Sequence, residues 1–147
     1  MTFQVLVSTM NQNDYSLITK MNIRTDVVVV NQCDREGREE LKINGVNVLW
    51  INSKERGLSK SRNLAIKNAT ADICLLADDD LVYRDDYEEK IIRAFEENSN
   101  SDLISFSVCG IEKEFKRYST TPQKVGYLKS MKISSVEIAF KRKSFVE

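Results

Sequence analysis

The sequence of 147 residues contains no histidine, a single proline and five glycines. Without histidine the chain has no Ser-His or Cys-His nucleophile and no histidine-ligated metal, so acid–base chemistry falls to carboxylates, lysine or tyrosine. The low proline and glycine content excludes collagen-like and low-complexity sequence. No apolar run approaches the length of about 18 residues that a membrane span needs, and the N-terminus lacks the features of a signal peptide. We therefore expect a cytoplasmic protein.

Cysteine usage and net charge exclude further classes of protein. The three cysteines, Cys33, Cys74 and Cys109, are odd in number and form no CxxC motif, so neither a disulfide framework nor a thiolate zinc site is expected. Cys74 lies in an apolar run and is expected in the core. The 22 basic and 22 acidic residues give a formal net charge of zero. This balance argues against nucleic acid as a partner.

Composition predicts one globular domain over residues 1–147, with 41% apolar and 30% charged residues. Charge is nevertheless uneven along the chain, since acids dominate residues 78–102 and bases dominate residues 112–143. Two solvated faces explain this distribution. The alternative is a cation site in the acidic stretch and an anion-facing surface in the basic one. That surface would suit peripheral contact with the inner face of a membrane.

Alternating strand and helix patterns predict an α/β fold with a mainly parallel central sheet flanked by helices on both sides. The strands are predicted at residues 3–8, 26–31, 73–77, 103–108 and 133–140, with a short hairpin at 41–50 turning at Asn44-Gly45. The helices are predicted from a capping segment at Asn11 to Asp14 through Met21, from about Ser59 to Asn68, and after a cap at Asp85.

Polar residues follow three of the predicted strands. They are Ser8-Thr9-Met10-Asn11, Asn31-Gln32-Cys33-Asp34 and Asp78-Asp79-Asp80. Ligands of open α/β sheets bind at the carboxyl ends of the strands, near the point where strand order reverses. We therefore expect these side chains to line one edge of the sheet. Met10, Met21, Tyr83 and Tyr127 are either core residues or part of a binding pocket.

The acidic triplet Asp78-Asp79-Asp80 is either an exposed acidic turn or a cation site. Carboxylate oxygens are the ligands that Mg²⁺, Mn²⁺ and Ca²⁺ prefer. Alternate residues of an extended chain point the same way, so Asp78 and Asp80 are expected to share a ligand while Asp79 faces another side. The position directly after a buried strand favours the functional interpretation.

A second candidate is Gly57 and the helix start behind it. Glycine allows close backbone approach, and the N-terminus of a helix favours anions. Arg56, Lys60 and Arg62 add positive charge there, although an ordinary solvated helix explains them equally well. The pattern is neither of the glycine-rich phosphate-binding motifs. Together, the triplet and this helix predict a phosphorylated ligand bridged by a divalent cation.

The segments VLVSTMNQ, VVVVNQCD and ERGLSKSRNLAIKNATADICLLADDDLVY resemble the donor-binding part of family-2 glycosyltransferases, which have the GT-A fold. The third segment is the most specific, with the pattern GLSxxRNxAxxxAxxDxxLLxDDD. The resemblance covers residues 3–110 and, more loosely, residues 133–145. It implies transfer of a sugar, with inversion, from a nucleotide diphosphate donor, expected to be UDP-linked, to a hydroxyl of a saccharide or lipid-linked acceptor in polysaccharide biosynthesis.

The resemblance also implies roles for individual residues. Asp78-Asp79-Asp80 takes the place of the DXD motif, with Asp80 and Asp78 as ligands of Mn²⁺ or Mg²⁺. Asp78 and Asp79 are implied to contact the nucleotide sugar. The same role is implied for four further residues, Ser8, Thr9, Gln32 and Arg62. Many members carry two aspartates after the second strand, where this chain has Asn31-Gln32.

The acidic motif that supplies the family's catalytic base does not follow residue 110 in this sequence, and neither Glu137 nor Glu147 replaces it. We therefore expect a truncated donor domain whose base and acceptor half lie elsewhere. The alternative is a non-catalytic nucleotide-sugar-binding or regulatory module of the same fold. A nucleotidyltransferase is disfavoured because no glycine-rich basic loop follows the first strand. A phosphoacceptor receiver domain is disfavoured because no acidic pair stands there.

Overall fold

The computed structural model of the chain describes residues 1–109, 122–126 and 138–145. Along the chain, the elements of secondary structure are β1 (Phe3–Met10), α1 (Leu17–Lys20), β2 (Val27–Gln32), β3 (Gly37–Ile43), β4 (Val46–Ser53), α2 (Leu58–Asn68), β5 (Ile73–Asp78), α3 (Tyr87–Glu97), β6 (Leu103–Ser105), β7 (Ile138–Lys141) and a 3-10 turn at Arg142–Ser144. No helix in these residues is long and apolar enough to cross a bilayer.

The strands form one sheet in the order β3-β4-β2-β1-β5-β7-β6. The four central strands, β4, β2, β1 and β5, pair in parallel. The remaining pairings, β3 with β4, β5 with β7 and β6 with β7, are antiparallel. The chain steps outward from β1 to β2 and β4, then crosses back to place β5 on the other side of β1. This reversal makes the carboxyl ends of β1 and β5 the expected ligand crevice.

Helices cover both faces of the sheet, as the sequence predicted. One face of the parallel strands packs against α1 and α3 in a large apolar cluster that includes Val5, Val29 and Phe95. The other face packs against α2 in a second cluster that includes Val28, Val30 and Ala65. The run Val27–Val30 is fully buried because each face of β2 meets a helical layer. Cys74 is buried in the second cluster, and burial raises the pKa of its thiol to about 12.

The central strands extend further than the sequence predicted. β1 includes Thr9 and Met10, β2 includes Gln32 and β5 includes Asp78. The hairpin is also longer, with strands over residues 37–43 and 46–53 around the predicted turn, where Asn44 and Gly45 both have positive φ. Because ladder hydrogen bonds hold the extended strand ends, the polar residues that they carry stand on rigid backbone.

Several predictions of element boundaries were wrong. α1 begins at Leu17 after Ser16, because Asn11 turns away with φ +51° and Gln12 is held by hydrogen bonds to β2. α3 is preceded by Asp86, since the Asp85 carboxylate binds Arg24 at 2.8 Å.

β6 ends at Ser105 rather than at residue 108. The predicted last strand is observed from Ile138, and its earlier residues lie outside the described residues, as do Tyr127 and most of the basic stretch 112–143.

The core position of Phe95 generates a stability prediction. Its side chain is 1% exposed at the end of α3, so Phe95→Ala should lower the free energy of unfolding by about 3–5 kcal/mol through lost burial and a cavity. Phe145, which is 52% exposed, is the matched control, and Phe145→Ala should cost about 1 kcal/mol or less. Urea denaturation measures both. Equal losses would contradict the assignment of Phe95 to the core.

Candidate functional site

The carboxyl edge of the parallel strands collects polar side chains on both faces of the sheet. Ser8 is the register partner of Asp78, and Thr9 is the register partner of Asn31, which in turn faces Asn52 on β4. Side chains alternate along each strand. As a result Ser8, Gln32 and Asp78 lie on the α2 side, whereas Thr9, Asn31 and Asn52 lie on the α1 and α3 side. The predicted residues do share one edge, but they divide between its two faces.

On the α2 side, an ion pair joins the helix to the acidic triplet. Arg62 Nη2 lies 3.3 Å from Asp78 Oδ1, and the two side chains are 21% and 34% exposed. Partial burial strengthens this contact relative to a surface pair. Arg62 therefore places a positive charge beside the triplet and fixes one carboxylate oxygen of Asp78.

The start of α2 is bound to the end of β2 on the same side. Gly57 precedes the helix with φ +122°, a conformation that L side chains rarely adopt, and its N–H donates to Gln32 Oε1 at 3.0 Å. Glycine at this position lets the helix begin directly against the sheet edge. Arg56 of the preceding loop pairs with Asp34 at 3.1 Å, an exposed contact of small energetic weight.

On the opposite side, Thr9 holds the second carboxylate of the triplet. Thr9 Oγ1 donates to Asp79 Oδ2 at 2.7 Å, and Gln12 Nε2 donates to Thr9 Oγ1 at 3.0 Å. Asp78 and Asp79 thus diverge to opposite sides. Asp80 is exposed and makes no hydrogen bond or ion pair within the part of the chain that the structure describes.

A buried amide network continues from Gln12 to the edge of the sheet. Asn31 is fully buried, accepts the Gln12 N–H at 3.0 Å, and donates to the Gln12 carbonyl at 3.1 Å and to Asn52 Oδ1 at 3.0 Å. Asn52 Oδ1 also accepts from Trp50 Nε1 at 3.1 Å. Because the indole N–H can only donate, it fixes the orientation of Asn52 and, through it, that of Asn31. Hydrogen bonds therefore connect β4, β2 and β1 to Asp79.

Sequence reasoning missed Gln12 and Asn52. Both are polar residues near the end of a strand, as are most of the residues that were singled out. What the sequence does not display is the pairing of donors with acceptors, which depends on the register of three strands.

The other residues left open fall into two groups. Met21 is a core residue, whereas Met10 is 52% exposed at the end of β1. Tyr83 packs against Tyr87, and burial raises the pKa of its phenol, with the negative charges of Tyr87 and Asp78 adding to the effect.

The edge is an open surface rather than an enclosed cavity. A cavity of about 260 Å³ adjoins it beside Gln12, Trp50 and Asn52. Larger cavities of about 440 and 530 Å³ lie at the opposite edge, around the amino ends of β1, β2 and β5. The chemistry-bearing side chains are concentrated at the carboxyl edge, so we place the candidate site there despite the smaller cavity.

The carboxylates fit a divalent cation only with help from a ligand. No group of three or more cysteine or acidic side chains converges on one point within the described ranges. Mg²⁺ is commonly bound by one or two carboxylates with substrate phosphates completing its coordination. The exposed Asp80 and the half-exposed Asp78 are hard oxygen donors of that kind.

A family model and solved structures match the chain. The model described as Glycosyl transferase family 2 matches residues 5–144. A crystal structure of S. aureus TarS 1-349 aligns with a TM-score of 0.69 and 21% identity, covering 97% of this chain and 47% of that one. The same protein in complex with UDP-GlcNAc aligns with a TM-score of 0.50 and 24% identity, covering 70% of this chain and 33% of that one. No curated protein matches.

These likenesses establish the fold. The mostly parallel core of the sheet, covered by helices, is that of a GT-A structure, as the resemblance implied. The chain spans about half the length of the TarS chain that it matches.

The amide network generates a prediction at Asn31. Asn31→Asp would set a buried carboxylate against two acceptors, the Gln12 carbonyl and Asn52 Oδ1. We therefore expect the free energy of unfolding to fall by about 3–5 kcal/mol at neutral pH. Burial would raise the pKa of the new carboxyl, and protonation would relieve the repulsion. The loss of stability relative to the unaltered chain should therefore be larger at pH 8 than at pH 4.

The measurement is urea denaturation at both pH values, with Asn47→Asp as the control. Asn47 is an exposed residue of β4, and its substitution should change stability little at either pH. If Asn31→Asp were as stable as the control at pH 8, the network would not have the donor pattern described.

Proposed function

The chain belongs to glycosyltransferase family 2, and on this premise we propose that its carboxyl edge binds a nucleotide diphosphate sugar and a divalent cation for transfer of the sugar to a hydroxyl acceptor. The observation that carries the proposal is the meeting of Ser8 with Asp78 and of Thr9 with Asp79 at the point where strand order reverses. Asp78 at the end of β5, followed by Asp79 and Asp80 in the turn after that strand, provides carboxylates at a point that suits a cation-bridged diphosphate.

We propose that Asp80 and Asp78 hold Mn²⁺ or Mg²⁺, with diphosphate oxygens completing the coordination. Bound there, the ion would neutralise the negative charge of the leaving diphosphate. Thr9 keeps Asp79 turned away from Asp78 through its 2.7 Å hydrogen bond, and Arg62 leaves one oxygen of Asp78 accessible to other ligands. Ser8, Thr9, Gln32 and Arg62 are the proposed contacts of the nucleotide sugar, together with Asp78 and Asp79.

The proposed reaction is direct displacement with inversion. The acceptor oxygen forms a bond to the anomeric carbon while the bond from that carbon to the phosphate oxygen breaks, and the nucleoside diphosphate leaves. The proton of the acceptor hydroxyl passes to a base, a role that we assign to no described residue. The acceptor class, saccharide or lipid-linked, stays a prediction, as does peripheral membrane contact.

Donor binding is tested by thermal unfolding with nucleoside diphosphates. We expect Mn²⁺ together with at least one of UDP, CDP, GDP and ADP to raise the melting temperature, because a ligand at about 100 times its Kd stabilises the folded state by about 2.7 kcal/mol. Asp80→Asn should remove the Mn²⁺-dependent part of the rise, since a neutral amide is a poor ligand for that ion.

Glu96→Gln is the matched control, because Glu96 is an exposed acid on α3, away from the strand ends. It should retain the full shift. No stabilisation by any of the four nucleotides with Mn²⁺, or equal shifts in Asp80→Asn and Glu96→Gln, would contradict the proposal.

A further inference from the structure

β3 is an edge strand of the sheet formed by the described residues, because its one neighbour there is β4. It pairs with β4 along its whole length, Gly37–Ile43, in an antiparallel register without a bulge. An edge strand presents a row of unpaired backbone N–H and C=O groups, and natural proteins often shorten, bend or interrupt such an edge. β3 has none of these interruptions, and the single proline of the chain, Pro122, lies elsewhere. Charged side chains are its remaining protection against pairing with another strand.

Two of these charges find no opposite charge on the neighbouring strand. Glu40 and Lys42 are exposed, and their register partners on β4 are Leu49 and Asn47, which carry no charge. Neither side chain forms an ion pair within the ranges that the structure describes. The two also stand about 7 Å apart along β3, since each residue of a strand advances by about 3.3 Å. Both charges are therefore open to a partner beside the edge.

Alternation along β3 places this acid and this base on the same face of the sheet. Arg38 Nη1 donates to Asn68 Oδ1 of α2 at 2.7 Å, so Arg38 lies on the α2 face, and Glu40 and Lys42 share that face. Leu41, between them, packs against the apolar cluster on the opposite face. A strand placed beside β3 would thus meet one negative and one positive charge on its α2 side.

A second copy of the chain supplies matching charges when its β3 runs antiparallel to the first. Two identical strands joined in one sheet are related by a two-fold axis perpendicular to that sheet, and one residue faces itself at the axis. Leu41 is the one uncharged residue among the inner positions 38–42. An axis at any of the other four would set identical charges against each other. An axis at Leu41 instead sets Glu40 of each copy opposite Lys42 of the other.

We propose that the chain forms a homodimer in which two copies of β3 pair antiparallel about a two-fold axis at Leu41. Directly opposed residues have Cβ atoms about 5 Å apart, a distance at which the two Glu40–Lys42 pairs attract. Main-chain hydrogen bonds between the two copies of residues 39–43 supply affinity, as they do in other cases of strand addition. The charges select the register.

The proposed interface is small and stands apart from the candidate site. A pairing of two short strands buries less area than a stable dimer needs, so the dimer should be weak and its population should rise with protein concentration. Three strands separate β3 from β5, which carries the start of the acidic triplet. The inference therefore does not rest on nucleotide binding.

Exchange of the two charges tests both the dimer and its register. Sedimentation velocity over micromolar to millimolar concentrations should show a reversible dimer of the unaltered chain. Glu40→Lys alone sets lysine against lysine in both pairs, and Lys42→Glu alone sets glutamate against glutamate. Each single variant should therefore raise the dissociation constant of the dimer about tenfold or more. An equimolar mixture of the two variants should restore dimerisation, because each pair then joins an acid with a base.

The chain offers matched controls for both exchanges. Glu96 is an exposed acid on α3, and Lys143 is an exposed base in the 3-10 turn that follows β7, near the other end of the sheet. Glu96→Lys and Lys143→Glu carry the same changes of charge away from β3, so each should dimerise as the unaltered chain does. The double variant Glu40→Lys with Lys42→Glu should also dimerise normally, because it keeps both pairs complementary.

Three results would overturn the proposal. The first is an unaltered chain that stays monomeric throughout the concentration range. The second is a dimer that neither single variant weakens, which would place the interface away from β3. The third is a mixture of the two folded single variants that fails to restore the dimer, which would exclude the axis at Leu41. Circular dichroism establishes that the variants are folded, and the unaltered chain and the double variant decide the matter if a single variant is not.

Discussion

The parallel pairing of β1 with β2 on one side and β5 on the other is the constraint on which the candidate site depends. It brings three polar strand ends to one edge and fixes which of their side chains share a face. Ser8 and Asp78 are register partners, and both side chains lie on the face of the sheet that α2 covers. Thr9 contacts Asp79 on the opposite face. A shift of one residue in either pairing would move every one of these groups to the other face.

The same register explains why amides rather than carboxylates end β2. Asn31 lies between a backbone N–H, a backbone carbonyl and an amide oxygen, and it must both accept and donate. Asparagine supplies both functions, whereas aspartate supplies only acceptors at neutral pH. Gln32 accepts, with its oxygen alone, the N–H of Gly57, the residue that precedes α2. The departure of this chain from two aspartates is thus built into the buried network and is not a surface variation.

Much of the fold followed from the sequence because hydrophobic runs are local signals. The run Val27–Val30 predicts a strand that is covered on both faces, and Asn44-Gly45 predicts the turn of the β3–β4 hairpin. Neither prediction needs any knowledge of distant residues. The wrong predictions concern residues whose hydrogen-bond or ion-pair partner is distant in the sequence. Asp85 was expected to cap α3 but binds Arg24, and Gln12 was expected at the start of a helix but is tied to Asn31. Donor and acceptor pairings across strands stand outside any sequence pattern, which is why Gln12 and Asn52 went unnoticed.

The charges at the triplet bear on how the proposed donor would be bound. Among the residues that the structure describes, the one cation paired with the triplet is the guanidinium of Arg62, and the hydrogen bond from Thr9 orients Asp79 without neutralising it. An edge that remains negative would repel a diphosphate, because like charges at such distances interact unfavourably even at the effective dielectric of a protein surface. Arg62 alone therefore does not make this edge an anion site. If the proposed donor binds here, its affinity must rise steeply with a divalent cation.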